Sequence, residues 1–167
     1  RYAPKAIQNL DGVEEAHDLQ GSVLLIGFGR FGQIVSQPLL ERGYSLSLID
    51  TDAQMIKDAG EFGFKVFYGD GTRLDILHAA GAGNARLIIA AANDPKAVTR
   101  IVELVKEEYP LTPILARAFD REHSLKLVEA GADYQIRETV ESAFSMGREA
   151  LIRLGDDPDD ADEVIVV

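Results

Sequence analysis

The sequence predicts an α/β fold, a doubly wound parallel sheet of six strands with helices on both faces. Three observations carry this. Short apolar runs alternate with amphipathic segments along most of the chain. The first run, Ser22–Ile26, is continuous rather than apolar at every second residue, as a strand buried on both faces requires. The first run opens into a glycine-rich turn that leads directly into a helical segment.

Ser22–Ile26 is the first strand, and Phe31–Arg42 reads as a helix with Ile34, Val35, Leu39 and Leu40 on one side. Pro38 lies inside that helix, where it should kink it or shift its hydrogen bonding. Ser45–Asp50 is a second strand, Ala53–Phe62 a second helix and Lys65–Tyr68 a third strand. Thr72 is the expected cap of a helix reaching about Ala80. Leu87–Ala92 forms a fourth strand, and Asp94-Pro95 opens the next helix, an acidic cap followed by proline in the first turn. Ile114–Ala118 is a fifth strand, Asp120 caps a helix through Glu129, Asp133–Ile136 is a sixth strand, and a last helix spans about Glu138 to Leu154.

The domain boundaries expected are a linker or arm over residues 1–20, the folded domain over 21–154 and an acidic tail over 155–167. A short helix from Val13 to Leu19 fits the arm. The tail holds Asp156, Asp157, Asp159, Asp160, Asp162 and Glu163, a run expected to be solvated and mobile, before Val164-Ile165-Val166-Val167 as an edge strand or frayed end. The chain starts at Arg1, which suggests a piece of a longer protein.

Composition narrows the function. The 167 residues are 46% hydrophobic and 27% charged, with a net charge of -11 and no cysteine. Thiolate catalysis, disulfides and cysteine-ligated zinc are excluded. An acidic chain does not suit nucleic acid or anionic lipid. No apolar run approaches the roughly 20 residues of a membrane helix. His17, His78 and His123 lack metal-ligand spacing and are expected to be surface or packing residues.

The glycine turn carries the chemistry. In Gly27-Phe28-Gly29-Arg30-Phe31-Gly32, Gly27 permits the tight turn, Gly29 lets the backbone approach a phosphate, and Gly32 lets the helix pack close. The N–H groups at the helix start then face the anion, aided by the helix dipole. This is the phosphate-binding turn of a Rossmann-type domain, and an adenine nucleotide is expected there. Asp50 ends the second strand, where a carboxylate accepts from ribose hydroxyls, favouring NAD(H) or AMP over NADP. The alternative for Asp50 is a helix cap, a part Asp52 can take instead. Asp70, in Tyr68-Gly69-Asp70-Gly71-Thr72, lies either at the adenine edge or only in a turn. Arg30 and Arg117 are placed to meet an anion in the crevice, or to pair with surface acids.

Gly27 through Ile34, then Lys65 through Asp75, then Ala79-Ala80-Gly81-Ala82, Ile114 through Ala118, and Arg137-Glu138-Thr139 resemble, in that order, the TrkA-N or RCK domain of Kef-type potassium efflux antiporters. The resemblance covers roughly residues 21 to 154. It implies a cytoplasmic, non-catalytic regulatory domain at the inner membrane, carried on a transmembrane antiporter domain in the same parent chain. It also implies a homodimer that binds NAD(H) or AMP. The nucleotide set it implies, joined to the residues read above, is Gly27, Phe28, Gly29, Arg30, Phe31, Gly32, Asp50, Thr51, Asp70, Gly71, Thr72, Ala91 and Arg117. Kef proteins are gated by glutathione and its conjugates, but where they are basic, Ser124–Glu129 here carries one lysine, so glutathione stays open as an effector. Val140, Ala143, Phe144, Gly147, Leu151 and Leu154 form an apolar stripe on the last helix, a candidate dimer face or a face that packs on its own sheet. Two rivals rest on the same glycines: a soluble NAD-dependent oxidoreductase, which would need a substrate domain the chain has no room for, and a free-standing Trk-like regulatory subunit.

Overall fold

A computed structural model describes residues 22–165. The expected arm with its Val13–Leu19 helix and His17, and the last two residues, lie outside that range. The described residues form two compact units, divided between Ile136 and Arg137.

The first unit alternates strands and helices: β1 (Val23–Ile26), α1 (Arg30–Glu41), β2 (Leu46–Asp50), α2 (Ala53–Glu61), β3 (Lys65–Tyr68), α3 (Leu74–Ala79), a 3-10 turn (Ala82–Asn84), β4 (Leu87–Ala90), α4 (Pro95–Glu108), β5 (Ile114–Ala118), α5 (Arg121–Ala130) and β6 (Tyr134–Arg137), whose last residue falls just past the division. The sheet has six strands in the order β3-β2-β1-β4-β5-β6. The pairings are parallel, with Leu25 of β1 beside Leu48 on one side and Ile89 on the other. This is the doubly wound Rossmann-type order, as expected.

The pleat explains why the central strands read as continuous apolar runs. Leu24, Ile26, Ile88, Ala90 and Ile114 join one buried cluster with Leu77 of α3, Val98, Ile101, Val102 and Val105 of α4 and Leu127 of α5. Val23, Leu25, Leu46, Leu48 and Ile89 join a second, against Val35 and Leu39 of α1 and Met55 and Ala59 of α2. Alternate residues of each strand therefore enter opposite cores, and both faces must be apolar.

Helix starts follow local chemistry. Asp52 accepts from Gln54 N and Met55 N, Asp94 from Lys96 N with Pro95 in the first turn, and Asp120 from His123 N at 2.7 Å. Helix α1 runs through Pro38, and Ile34, whose carbonyl Pro38 cannot bond, is exposed. Thr72 is not the cap of α3. The helix begins at Leu74, because the N–H and hydroxyl of Thr72 both donate to Asp70 Oδ1, at 2.9 and 2.7 Å.

The second unit holds α6 (Val140–Arg153) and α7 (Pro158–Val164). The last helix expected in the domain over 21–154 thus groups with the segment after it, and none of its residues is buried. The segment expected to be a mobile acidic tail forms a helix over part of its length. Asp157 accepts from Asp159 N, Pro158 fills the first turn, Asp162 pairs with Arg148 and Ala161 is buried, while the acids themselves stay exposed. The apolar end of that segment contributes Val164 to this helix rather than to a strand. Among the described residues, no helix is long and apolar enough to cross a membrane, and no three His, Asp or Glu side chains are grouped so as to hold a metal ion.

Candidate functional site

The strand order fixes where a site can form. From β1 the chain proceeds to β2 and β3 on one side, then crosses to β4 on the other, so the loops after β1 and β4 diverge at the carboxyl edge of the sheet. A crevice of about 590 Å³ opens there, lined by the glycine turn, the ends of β2 and β3, the Ala91–Asn93 loop and the start of α4.

Gly27 begins the turn at φ +98°, and a Cβ there would lie 2.6 Å from Ala92 N. A Cβ on Gly32 would lie 2.2 Å from the carbonyl oxygen of Gly27, which is how closely α1 meets the turn. Asp50 closes this arrangement from the neighbouring strand. Its Oδ2 accepts from Phe28 N at 2.7 Å and its Oδ1 from Asp52 N at 2.8 Å. The capping of α2 falls to Asp52, so Asp50 is not that cap. Each of its oxygens keeps a lone pair for a hydroxyl donor.

Asp70 lies after β3 and is exposed to solvent. The Thr72 hydroxyl, then the Thr72 N–H, hold its carboxyl below the usual carboxylate range, opposed by burial and helped by Arg73. Asp70 stays charged and shapes its own loop while it faces the crevice.

Of the residues expected from sequence, Gly27, Gly29, Asp50, Thr51, Asp70, Gly71, Thr72 and Ala91 line the crevice together. Phe28, Arg30, Phe31, Gly32 and Arg117 do not. Phe28 points into the core, edge-on to Phe64 with ring centroids 5.2 Å apart, and offers only its backbone to the turn. Arg30 is the exposed first residue of α1. Arg117, expected to reach an anion, is only 9% exposed. Its guanidinium lies 4.4 Å from the Phe119 ring centre and 5.6 Å from that of Phe31, and Nη1 donates to Asn93 Oδ1 at 2.8 Å and to Ala92 O at 3.3 Å. The pleat turns Arg117, like Leu115 two residues before it, toward the α1 face.

The sequence reading missed the opposite wall. Asn93, Asp94, Lys96, Ala97, Arg100 and Ile101 line it. The signal was the helix start at Asp94-Pro95, and placing that start beside the glycine turn needed the strand order. Lys96 and Arg100, one turn apart on α4, bring positive charge to this side.

His123 is a packing residue, as expected. Phe119 N donates to its Nδ1 at 3.1 Å, its Nε2 meets Thr99 Oγ1 at 2.9 Å, and Thr99 Oγ1 donates to Pro95 O. Nδ1 as acceptor fixes the neutral tautomer with the proton on Nε2. Burial pushes this imidazole below its ordinary pKa, against the pull of the Pro95 carbonyl, Asp120 and Asp94.

The model of the TrkA-N domain matches residues 23–138. The chain belongs to the TrkA-N family. Within that family its relatives are Kef proteins. It is 46% identical over 167 residues to a glutathione-regulated potassium-efflux system protein of Haemophilus influenzae, covering 99% of this chain and 27% of the relative. It is 43% identical over 150 residues to the glutathione-regulated potassium-efflux system protein KefC of Escherichia coli, covering 90% of this chain and 24% of that protein. The chain therefore spans about a quarter of the length of these curated relatives. The Kef C-terminal domain of Shewanella denitrificans, solved in an AMP-bound form, superposes with a TM-score of 0.76 at 40% identity, covering 86% of this chain and 87% of that one.

Proposed function

We propose that this TrkA-N domain is the nucleotide-binding regulatory part of a Kef-type potassium:proton antiporter and that the crevice at the strand switch point takes AMP or NAD(H). The observation that carries the proposal is the carboxylate of Asp50. It is locked to the glycine turn through Phe28 N and faces a crevice in which a phosphate and a ribose can be held at once. The Shewanella domain, at 40% identity and in AMP-bound form, supports the same ligand class.

In this reading the α1 N-terminus and glycine turn hold the phosphate, Asp50 and Thr51 the ribose, and Asp70 to Thr72 border the adenine. Lys96 and Arg100 balance phosphate charge from the far wall. The domain transmits rather than transforms: a nucleotide that binds one conformation of a dimer more tightly shifts the attached transporter toward it. The parent chain supplies the membrane domain, and this domain lies on the cytoplasmic side. The homodimer is supported by α6, none of whose residues is buried, and by Leu154 at its C-terminal cap, the last residue of the apolar stripe, which is 82% exposed. Glutathione carries two carboxylates, and the single lysine of Ser124–Glu129, Lys126, is paired with Glu122, so the nucleotide and not glutathione is proposed as the ligand.

Calorimetric titration of AMP and NADH into the wild-type domain and Asp50→Ala tests this. We expect binding by the wild type and at least a tenfold loss in the variant, the effect of about 1.4 kcal/mol. Absence of binding to either nucleotide by the wild type refutes the proposal.

A further inference from the structure

We propose that the side-chain amide of Asn93 is a phosphate donor in the crevice and that Arg117 holds it in the donating orientation. This rests on the nucleotide reading above and adds to it a residue that discriminates for the phosphate.

An asparagine amide has one accepting end and one donating end of nearly equal shape, so its usefulness to a ligand depends on which end is presented. Here the choice is forced. Arg117 Nη1 lies 2.8 Å from the amide, and a guanidinium can only donate, so the atom it meets is Oδ1. The NH2 group is then the end that remains for the crevice. A Cβ built on Gly29 would stand 3.5 Å from Asn93 Nδ2 and 3.8 Å from Oδ1. The amide N–H groups thus overhang the one position of the turn where the missing side chain leaves room for a phosphate. They come from the β4 loop, opposite the N–H groups of α1.

Arg117 cannot readily serve the ligand itself. Its guanidinium is packed near Phe119 and Phe31, bonded also to Ala92 O, and only 9% exposed. It is a positioning residue, and Asn93 is the group that touches the ligand. A phosphate dianion has acceptors only, so a fixed donor favours AMP over adenosine, which has no phosphate.

The test compares the affinities of AMP and adenosine for the folded domain, using wild type, Asn93→Ala, Asn93→Asp and Arg117→Met, with melting curves run alongside. Asn93 is exposed, so its variants are expected to fold. Asn93→Ala changes no charge and is the deciding variant. It should lower AMP affinity about fivefold to tenfold while adenosine affinity stays within about twofold. Asn93→Asp, which presents a carboxylate oxygen instead, should lose more. Arg117→Met should reduce the preference for AMP about as much as Asn93→Ala, and the double variant should reduce it no further. A merely structural arginine would weaken both ligands equally. An Asn93→Ala domain that keeps the wild-type ratio of AMP to adenosine affinity overturns the proposal. So does a wild type that binds both ligands without preference, which would leave the nucleotide site standing, whereas a wild type that binds neither removes both readings.

Discussion

Gly29→Ala separates the fold of the turn from its chemistry. Gly29 has φ -77° and ψ -161°, extended backbone open to any residue, and its nearest neighbour to an added Cβ is Asn93 Nδ2 at 3.5 Å, an ordinary contact. The methyl therefore fits without strain. By restricting the unfolded chain, alanine should raise stability by about 0.4–1 kcal/mol. At the scale of a domain this size, that is about 1–4 °C in melting temperature. The same methyl stands where a phosphate oxygen has to come within about 2.9 Å of a backbone N–H. Losing one charge-assisted hydrogen bond removes about 1.5–3 kcal/mol, or roughly tenfold to 150-fold in affinity. Differential scanning fluorimetry reads the first effect, and titration calorimetry with AMP reads the second. The variant should be as stable as wild type or more so, and a much poorer binder. If it is stable and binds AMP with unchanged affinity, the phosphate does not lie over Gly29 and the placement of the ligand is wrong.

Two further perturbations test the packing beneath the site. In Gly32→Ala the added Cβ would fall 2.2 Å from the carbonyl oxygen of Gly27, so backbone must move. We expect a loss of about 3 kcal/mol, near 6–12 °C of melting temperature, measured by thermal denaturation. For His123, burial sets the folded pKa below the unfolded one, so the unfolded chain takes up the proton first. Stability is then complete above about pH 6.5 and falls as pH drops through that value. Urea denaturation at pH 7.5 and 5.5 should show the fall, and His123→Gln should reduce it. Protonation also sets a donor at Nδ1 against Phe119 N–H, so the protection of the Phe119 amide against deuterium exchange, taken relative to the intrinsic rate at each pH, should fall at the lower pH.

The legibility of each element depended on how local its cause was. Strands β1 and β4 were clear because Leu24, Leu25 and Ile88 are at most 1% exposed, and a strand covered on both faces must be apolar throughout. The caps at Asp94 and Asp120 were legible because the donors they satisfy lie two or three residues on. The expected cap at Thr72 failed to a competitor two residues upstream, Asp70, which takes both of its donors. Asp157-Pro158 repeats the signature of Asp94-Pro95, but the acids around it drew attention to solvation rather than to a helix start. Arg117 could not be placed without the pleat, which sends it under the β4 loop. The α4 wall could not be placed without knowing that β4 lies beside β1. Half the crevice was visible as motif, and the other half existed only as topology.

The two walls of that crevice differ in sign. Asp50 and Asp70 stand on the β2 and β3 side, Lys96 and Arg100 on the α4 side, and the carboxylate of Asp94 is turned to Lys96 N. A slot charged in this way exerts a torque on any solute that is negative at one end and rich in hydroxyls at the other. Such a molecule is turned the right way round while still at a distance, before a hydrogen bond forms. Long-range alignment is the part that salt screens first. The same salt screens the repulsion between an anion and a chain of net charge -11, so the placement of these four side chains governs how a nucleotide is oriented on arrival rather than how often it arrives.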